Sequence, residues 1–258
     1  IFLQADTWGA LITLTFLEIV LGIDNIIFIS IAANKLPEKL QKKATNIGLV
    51  LAMFLRIALL FGISLLIAMN APLFHVDFSW FKAGFTGQAL ILFAGGLFLL
   101  YKSTKEIHHK VEGLAEDETD GKPQKGYTLS QAIIQITLIN IVFSFDSILT
   151  AVGMTNGVEG AMIIMIASVI LSMVIMMLFA NPVGKFVNKH PTIQMLGLSF
   201  LILIGFMLIA EGAHLSHAKL FGEEVGTVPK GYLYFAITFS LVVEMLNMKM
   251  RGSSKKKN

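Results

Sequence analysis

Residues 17–28 read LEIVLGIDNIIF, a run that holds two carboxylates, Glu18 and Asp24, in an otherwise apolar segment. The apolar character extends from about Ala10 to Ala33, the length of a membrane-spanning helix. An ionised group in hydrocarbon costs several kcal/mol, so two carboxylates in one span demand a use. The rest of the sequence reads as the housing for this stretch.

Composition agrees. Of 258 residues, 55% are hydrophobic and only 14% are charged, with a mean hydropathy of +0.74. Soluble domains carry about 25% charged residues, so an integral membrane protein is expected, with the lipid bilayer as its first partner. There is no cysteine, which removes disulfide frameworks and thiolate metal sites. The net charge of +3 is too small to suggest nucleic acid as a partner. Residue 1 is Ile rather than Met, which suggests a trimmed start. No basic region or cleavage site of a signal peptide precedes the first apolar run.

Seven apolar stretches follow one another: Trp8–Ala33, Ala44–Met69, Gly84–Tyr101, Leu129–Met154, Gly160–Ala180, Thr192–Ala210 and Gly231–Met248. Each is near the roughly 20 residues a spanning helix needs, and runs of this length in a bilayer are helices. The expected fold is therefore an all-α membrane protein of about seven transmembrane helices. Four alternate connections hold 16 of the 20 basic residues, the opposite ones hold Lys82, Lys219 and Lys230, and Arg56 lies inside the second span. Basic residues favour the cytoplasmic side, so the N-terminus is expected outside and the C-terminus in the cytoplasm. The mixed-charge connection after the third span divides the chain. Residues 1–102 form a first three-helix unit and 103–127 a cytoplasmic loop. Residues 128–212 form a second three-helix unit, and 213–258 hold an outer loop, a seventh helix and a basic tail.

The two halves resemble each other. Thr15–Ile27 aligns with Thr137–Leu149 at a constant offset, with Thr15/Thr137, Ile19/Ile141, Val20/Val142, Asp24/Asp146 and Ile26/Ile148 identical. Glu18/Asn140, Gly22/Ser144 and Asn25/Ser147 are related in size or polarity. Apolar identities are common in spans; polar positions kept in one register are not. With seven alternating spans the two copies run in opposite directions, which gives two inverted three-helix repeats plus a seventh helix. Inverted repeats mark secondary transporters that bind substrate near the midplane. A weaker match lays Gly96–Lys102 on Gly205–Glu211.

The candidate site is then Glu18, Asp24 and Asn25 from the first copy with Asn140, Asp146 and Ser147 from the second. An opened helical turn at Gly22 would let the first three converge. Oxygen ligands without thiolates suit a hard divalent cation, and a spare carboxylate permits exchange for a proton. No prosthetic group and no enzymatic chemistry are expected. Arg56 reads as a salt-bridge partner for a carboxylate such as Glu18, in preference to a substrate-anion role. Glu244 and Asn247, three apart on the last span, either complete the pocket or tie that helix to the core. The pairs His214/His217 and His108/His109 read as exposed histidines.

LEIVLGIDNIIFIS (17–30), YKSTKEIHHKVEG (101–113), FSFDSILTAVGM (143–154) and PKGYLYFAITFSLVVEMLN (229–247) together resemble the TerC family of integral membrane proteins, over essentially the whole chain. The resemblance implies a bacterial inner-membrane protein of about seven spans, related to the lysine-exporter superfamily. The family is named for tellurite resistance, and several members are associated with manganese efflux and with metal supply to exported proteins. It carries over to Glu18, Asp24, Asn25 and Asp146, with Ser147 beside them. Related sequences commonly have Asp where this chain has Asn140, which keeps an oxygen ligand and removes a charge.

The expected function is export of a divalent cation, foremost Mn2+, by proton exchange. The alternatives are export of an amino acid or oxyanion, and a non-transporting factor for tellurite or metal resistance or metal loading. Such a factor would meet a second copy or other membrane proteins. An intramembrane aspartyl protease is disfavoured because Ser144-Phe145-Asp146 lacks the Gly expected before its Asp.

Overall fold

The structure, a computed structural model, describes residues 5–62, 69–112, 127–155, 158 and 160–254; the side chains at 5, 6, 20, 21, 23–25, 146 and 251–254 are outside that description. Seven helices appear among the described residues: α1 (Ala5–Ala33), α2 (Glu38–Phe61), α3 (Gly87–Val111), α4 (Leu129–Thr155), α5 (Ala161–Lys189), α6 (Pro191–Leu215) and α7 (Lys230–Ser254). Five of them, α2, α4, α5, α6 and α7, are long and apolar enough to cross a membrane. In α3 the apolar run from Ala89 to Leu100 gives way to polar residues from Lys102.

Local sequence sets the helix ends. Thr128 and Gln131 form a reciprocal capping box before α4: Gln131 N–H donates to Thr128 Oγ1 at 3.3 Å, and Thr128 N–H donates to Gln131 Oε1 at 2.9 Å. This satisfies two amides that the first turn leaves without partners. Thr86 caps α3 by accepting from Ala89 N at 3.1 Å. Pro191 opens α6, and the residue before a proline is steered away from helical backbone, so His190 alone separates α5 from α6 (φ −129°, ψ 88°).

The all-α expectation needs correction to a mostly helical fold. A four-stranded antiparallel sheet, in the order β1-β2-β3-β4, is built from β1 (Pro72–Asp77), β2 (Phe81–Thr86), β3 (Lys219–Leu220) and β4 (Glu223–Glu224). β3 and β4 are joined by Phe221 and Gly222, both at positive φ (53° and 93°), the backbone of a tight two-residue hairpin. The third apolar stretch therefore starts as strand, and its helix begins at Gly87. Two other boundaries also move. α3 continues through Val111, into residues expected as loop, and α5 continues past Pro182 to Lys189. Proline in a helix removes one backbone donor, and here α5 continues beyond it.

Three large interfaces organise the bundle: α1 lies along α5, α2 along α4, and α3 along α6. The core between them is formed by residues such as Phe28, Ile29, Leu49, Ile136, Ile139, Ile148, Ile164 and Met173. α7 packs chiefly on α6 and leaves Tyr232, Phe235, Phe239, Val242 and Leu246 exposed. Phe54, Leu97, Leu178, Phe179 and Phe206 are exposed as well. An apolar outside of this extent fits a lipid surface and not water.

The bundle has two distinct ends. At one, the turn after α1 meets the last turns of α3 and α5, through Lys35–Glu106 at 2.7 Å and the paired amides of Asn34 and Asn188. This end is rich in lysine. At the other end the sheet meets the last turn of α6, where Gly84 N–H donates to Ser216 O at 2.8 Å.

Candidate functional site

Among the buried polar residues, Glu18, Thr137, Asn140, Ser144 and Ser147 come from the two aligned motifs. Glu18 on α1 is buried, with 5% of its surface exposed, and Arg56 on α2 is buried to the same degree. One guanidinium nitrogen of Arg56 donates to Glu18 Oε2, and the other donates to Ser147 Oγ on α4. A single cation from α2 thus joins the first motif to the second. The planar fork of arginine allows it to engage two acceptors on different helices at once. Burying two charges is tolerable only when they are paired and hydrogen-bonded, and this pair meets both conditions.

Glu18 and Ser147, expected in one site, are brought together, and the expected salt-bridge role of Arg56 is observed. Asn140 is also buried, but its amide nitrogen donates to Ile136 O of its own helix at 2.9 Å. Ser144 donates to Asn140 O, and Ser147 donates to Ser144 O at 3.1 Å. These bonds run within α4 and hold its polar side chains against the helix.

The opened turn at Gly22 is not observed. α1 is helical throughout, and so is α4 at Ser144. The reason is packing: a Cβ at Gly22 would stand 2.3 Å from Met176 Sδ of α5. The missing side chain makes room for a neighbour instead of loosening the backbone. Asp24, Asn25 and Asp146 fall on α1 and α4, and their side chains lie outside the described residues.

Other candidates go elsewhere. Asn247 Nδ2 donates to Glu244 Oε2 at 3.5 Å, so on α7 these two face each other. His108 pairs with Glu112 at 3.2 Å in the open, and His214 Nδ1 lies 3.3 Å from Val225 O. Among the described residues no group of three His, Asp or Glu side chains is placed to hold a metal.

Two residues outside the expected site belong beside it. Among the described residues, Thr15 and Thr137 bury their hydroxyls without a hydrogen-bond partner, as Arg56 does its Nε. Each threonine precedes its motif's first polar residue by three positions, Glu18 or Asn140, and so lies on the same helix face. The signal was present in the sequence, because the two threonines are identical in the repeat alignment. A buried polar atom without a partner costs about 1–3 kcal/mol, which makes these hydroxyls ready acceptors for water or a ligand.

No solved structure matches the chain. Curated relatives do. The chain is 44% identical over 251 residues to the UPF0053 inner membrane protein YoaE of Escherichia coli K12, covering 96% of this chain and 44% of that one. It is 44% identical over 243 residues to the UPF0053 inner membrane protein YgdQ of the same strain, covering 94% and 93%. It is 42% identical over 246 residues to a UPF0053 protein of Haemophilus influenzae, covering 95% of each. The chain therefore spans less than half of YoaE and nearly all of the other two. The model of the integral membrane protein TerC family matches residues 3–258, and the chain belongs to that family.

Proposed function

We propose that this chain is a secondary transporter of the bacterial inner membrane that exports a divalent cation, Mn2+ foremost, in exchange for protons. The observation that carries the reading is the buried Arg56 link, in which Glu18 of one motif and Ser147 of the other share one cation. A transport site at the junction of two inverted repeats requires the two motifs to meet.

The helix pairing supports the repeat. Exchanging α1, α2 and α3 for α4, α5 and α6 turns the α1–α5 interface into the α4–α2 interface, and both are among the largest. The same exchange maps the α3–α6 interface onto itself. At that interface a Cβ on Gly96 would lie 2.7 Å from Gly205 O, and one on Gly205 would lie 3.0 Å from Gly96 O. These are the two glycines that head the weaker sequence match.

In the mechanism so proposed, Asp24 and Asp146 carry the cation and the proton in turn, with Asn25 and the Thr15 and Thr137 hydroxyls as neutral oxygen donors. Glu18 contributes less charge than its type suggests, because Arg56 holds it. Flux of Mn2+ into proteoliposomes, with and without a proton gradient, tests this directly. Asp24→Asn and Asp146→Asn should each abolish proton-coupled flux, and undiminished flux in either would refute the site. The fixed guanidinium of Arg56 favours one second reading, export of an oxyanion or amino acid. Anion-dependent flux without metal flux would establish it.

A further inference from the structure

Besides the buried site, the lysine-rich end of the bundle carries a cleft of about 760 Å³ between the last turn of α1, the first turns of α2 and the end of α5. Four lysines from two elements line it: Lys39 and Lys42 from α2, and Lys185 and Lys189 from α5. The spacings of three and four residues place each pair on one helix face, and the continuation of α5 beyond Pro182 brings the second pair opposite the first.

Like charges converging on a concavity repel each other, and here the described residues do not neutralise them. Lys35, Lys82 and Lys219 each pair with a carboxylate, Glu106, Asp77 and Glu224. Among the described residues none of the four cleft lysines does, and Glu38 is the one acid in the lining. A preference for basic residues on one side of a membrane explains how many lysines this end has. It does not explain why four of them face one cleft with no carboxylate partner among the described residues. A concave surface lined by four lysines and one acid focuses positive potential and concentrates anions.

Neutral groups complete the lining. Thr45 is buried in the lining, and Asn181 and Gln41 line the cleft with it. Asn34 and Asn188 bond to each other and close one edge. Gly184 keeps the floor open, since a Cβ there would stand 2.8 Å from Ser30 Oγ. Flexible ammonium groups backed by hydroxyl and amide groups suit the tetrahedral oxygens of a phosphoryl group. The charge is also the opposite of what would draw in a divalent cation.

We propose that this cleft binds a phosphoryl anion, supplied either by the headgroup of an acidic phospholipid or by a soluble phosphate compound. The proposal does not depend on what the buried site transports.

The test uses the full chain, purified in detergent or placed in nanodiscs. Two probes are compared: inorganic pyrophosphate at constant ionic strength, read by thermal shift, and phosphatidylglycerol against phosphatidylcholine, read by retained lipid in native mass spectrometry. Pyrophosphate binding identifies a soluble ligand; retention of phosphatidylglycerol alone identifies a headgroup. In either case the Lys42→Gln/Lys185→Gln variant should bind roughly thirtyfold more weakly, Lys42→Arg/Lys185→Arg should keep binding, and Lys82→Gln at the sheet end should change nothing. The single Lys189→Gln variant, expected to weaken binding several-fold, serves if the double variant does not fold. The proposal is overturned if neither probe binds the unmodified protein, or if the glutamine variants bind as well as it does.

Discussion

Replacing Arg56 by leucine removes the cation that Glu18 and Ser147 share. Both members of the pair expose about one-twentieth of their side-chain surface, so water does not replace the lost partner. Breaking a buried pair from one side costs about 3–5 kcal/mol, because the remaining charge is left without compensation. For a chain of this size each kcal/mol corresponds to roughly 2–4 °C, so the melting temperature should fall by roughly 6–20 °C. Removing both charges, as in Glu18→Leu/Arg56→Leu, leaves no buried charge behind and should restore most of the loss. Arg56→Lys should fall between, since one ammonium cannot reproduce the fork that reaches α1 and α4 together. Thermal unfolding of the purified protein in detergent, followed by tryptophan fluorescence, measures Arg56→Leu, Glu18→Leu and Glu18→Leu/Arg56→Leu in one double-mutant cycle, with Arg56→Lys beside it. If the losses from the two single leucine variants simply add in the double variant, the residues are not coupled and the link between the motifs is not what the geometry implies.

Three further outcomes follow from the same structure. Gly96→Ala sets a methyl group against the Gly205 carbonyl, whereas Gly22→Ala meets only the flexible end of Met176. The first should cost about 1–3 kcal/mol and the second less, and melting temperatures in the reverse order would refute the assignment. The Tyr127 phenol is pushed up to about 12 by burial and then by Glu106. Both states hold that proton below about pH 10, and above it the unfolded chain loses its proton first, so stability should fall between about pH 10 and about pH 12. Tyrosinate absorbance compared with Tyr127→Phe would show the titration, and Glu106→Gln should lower it only in part, since burial is the larger cause. Ser147→Ala removes an acceptor for a charged donor and should cost about 1.5–3 kcal/mol in the same melting assay; an unchanged melting temperature would argue against the Arg56 contact.

Much of this architecture is legible in the sequence, because burial in a bilayer imposes strong patterns. Long apolar runs located the helices, and the stretches Thr15–Ile27 and Thr137–Leu149 contain Glu18 and Ser147, the two residues that Arg56 joins. The partner of Glu18 was also readable, since Arg56 is the one basic residue inside a span. What stayed hidden depends on contacts between distant residues. The sheet joins strands more than 130 residues apart in sequence, such as Phe81 with Leu220, and its two shortest strands have two residues each, too few to show alternation. Gly22 misled because a glycine in a helix signals either a break or a close neighbour, and only the position of Met176 decides between them. The cleft lysines fell in two connections that sequence distance keeps apart, and the extension of α5 past Pro182 brings them together.

The crossing of α3 and α6 has a mechanical consequence. At Gly96 and Gly205 main chain rests on main chain, with the Ile209 and Leu100 side chains packed equally close beside the contact. A Cβ on Gly212 would likewise stand 3.1 Å from Ala89 O, about two turns along the same pair, so the two helices have little freedom to slide, part or pivot. The contact of α1 with α5 at Gly22 is of another kind, because a methionine fills it and methionine adapts its shape at low cost. Compliance in this bundle is therefore concentrated along the helices that carry the two motifs, around a stiff central axis.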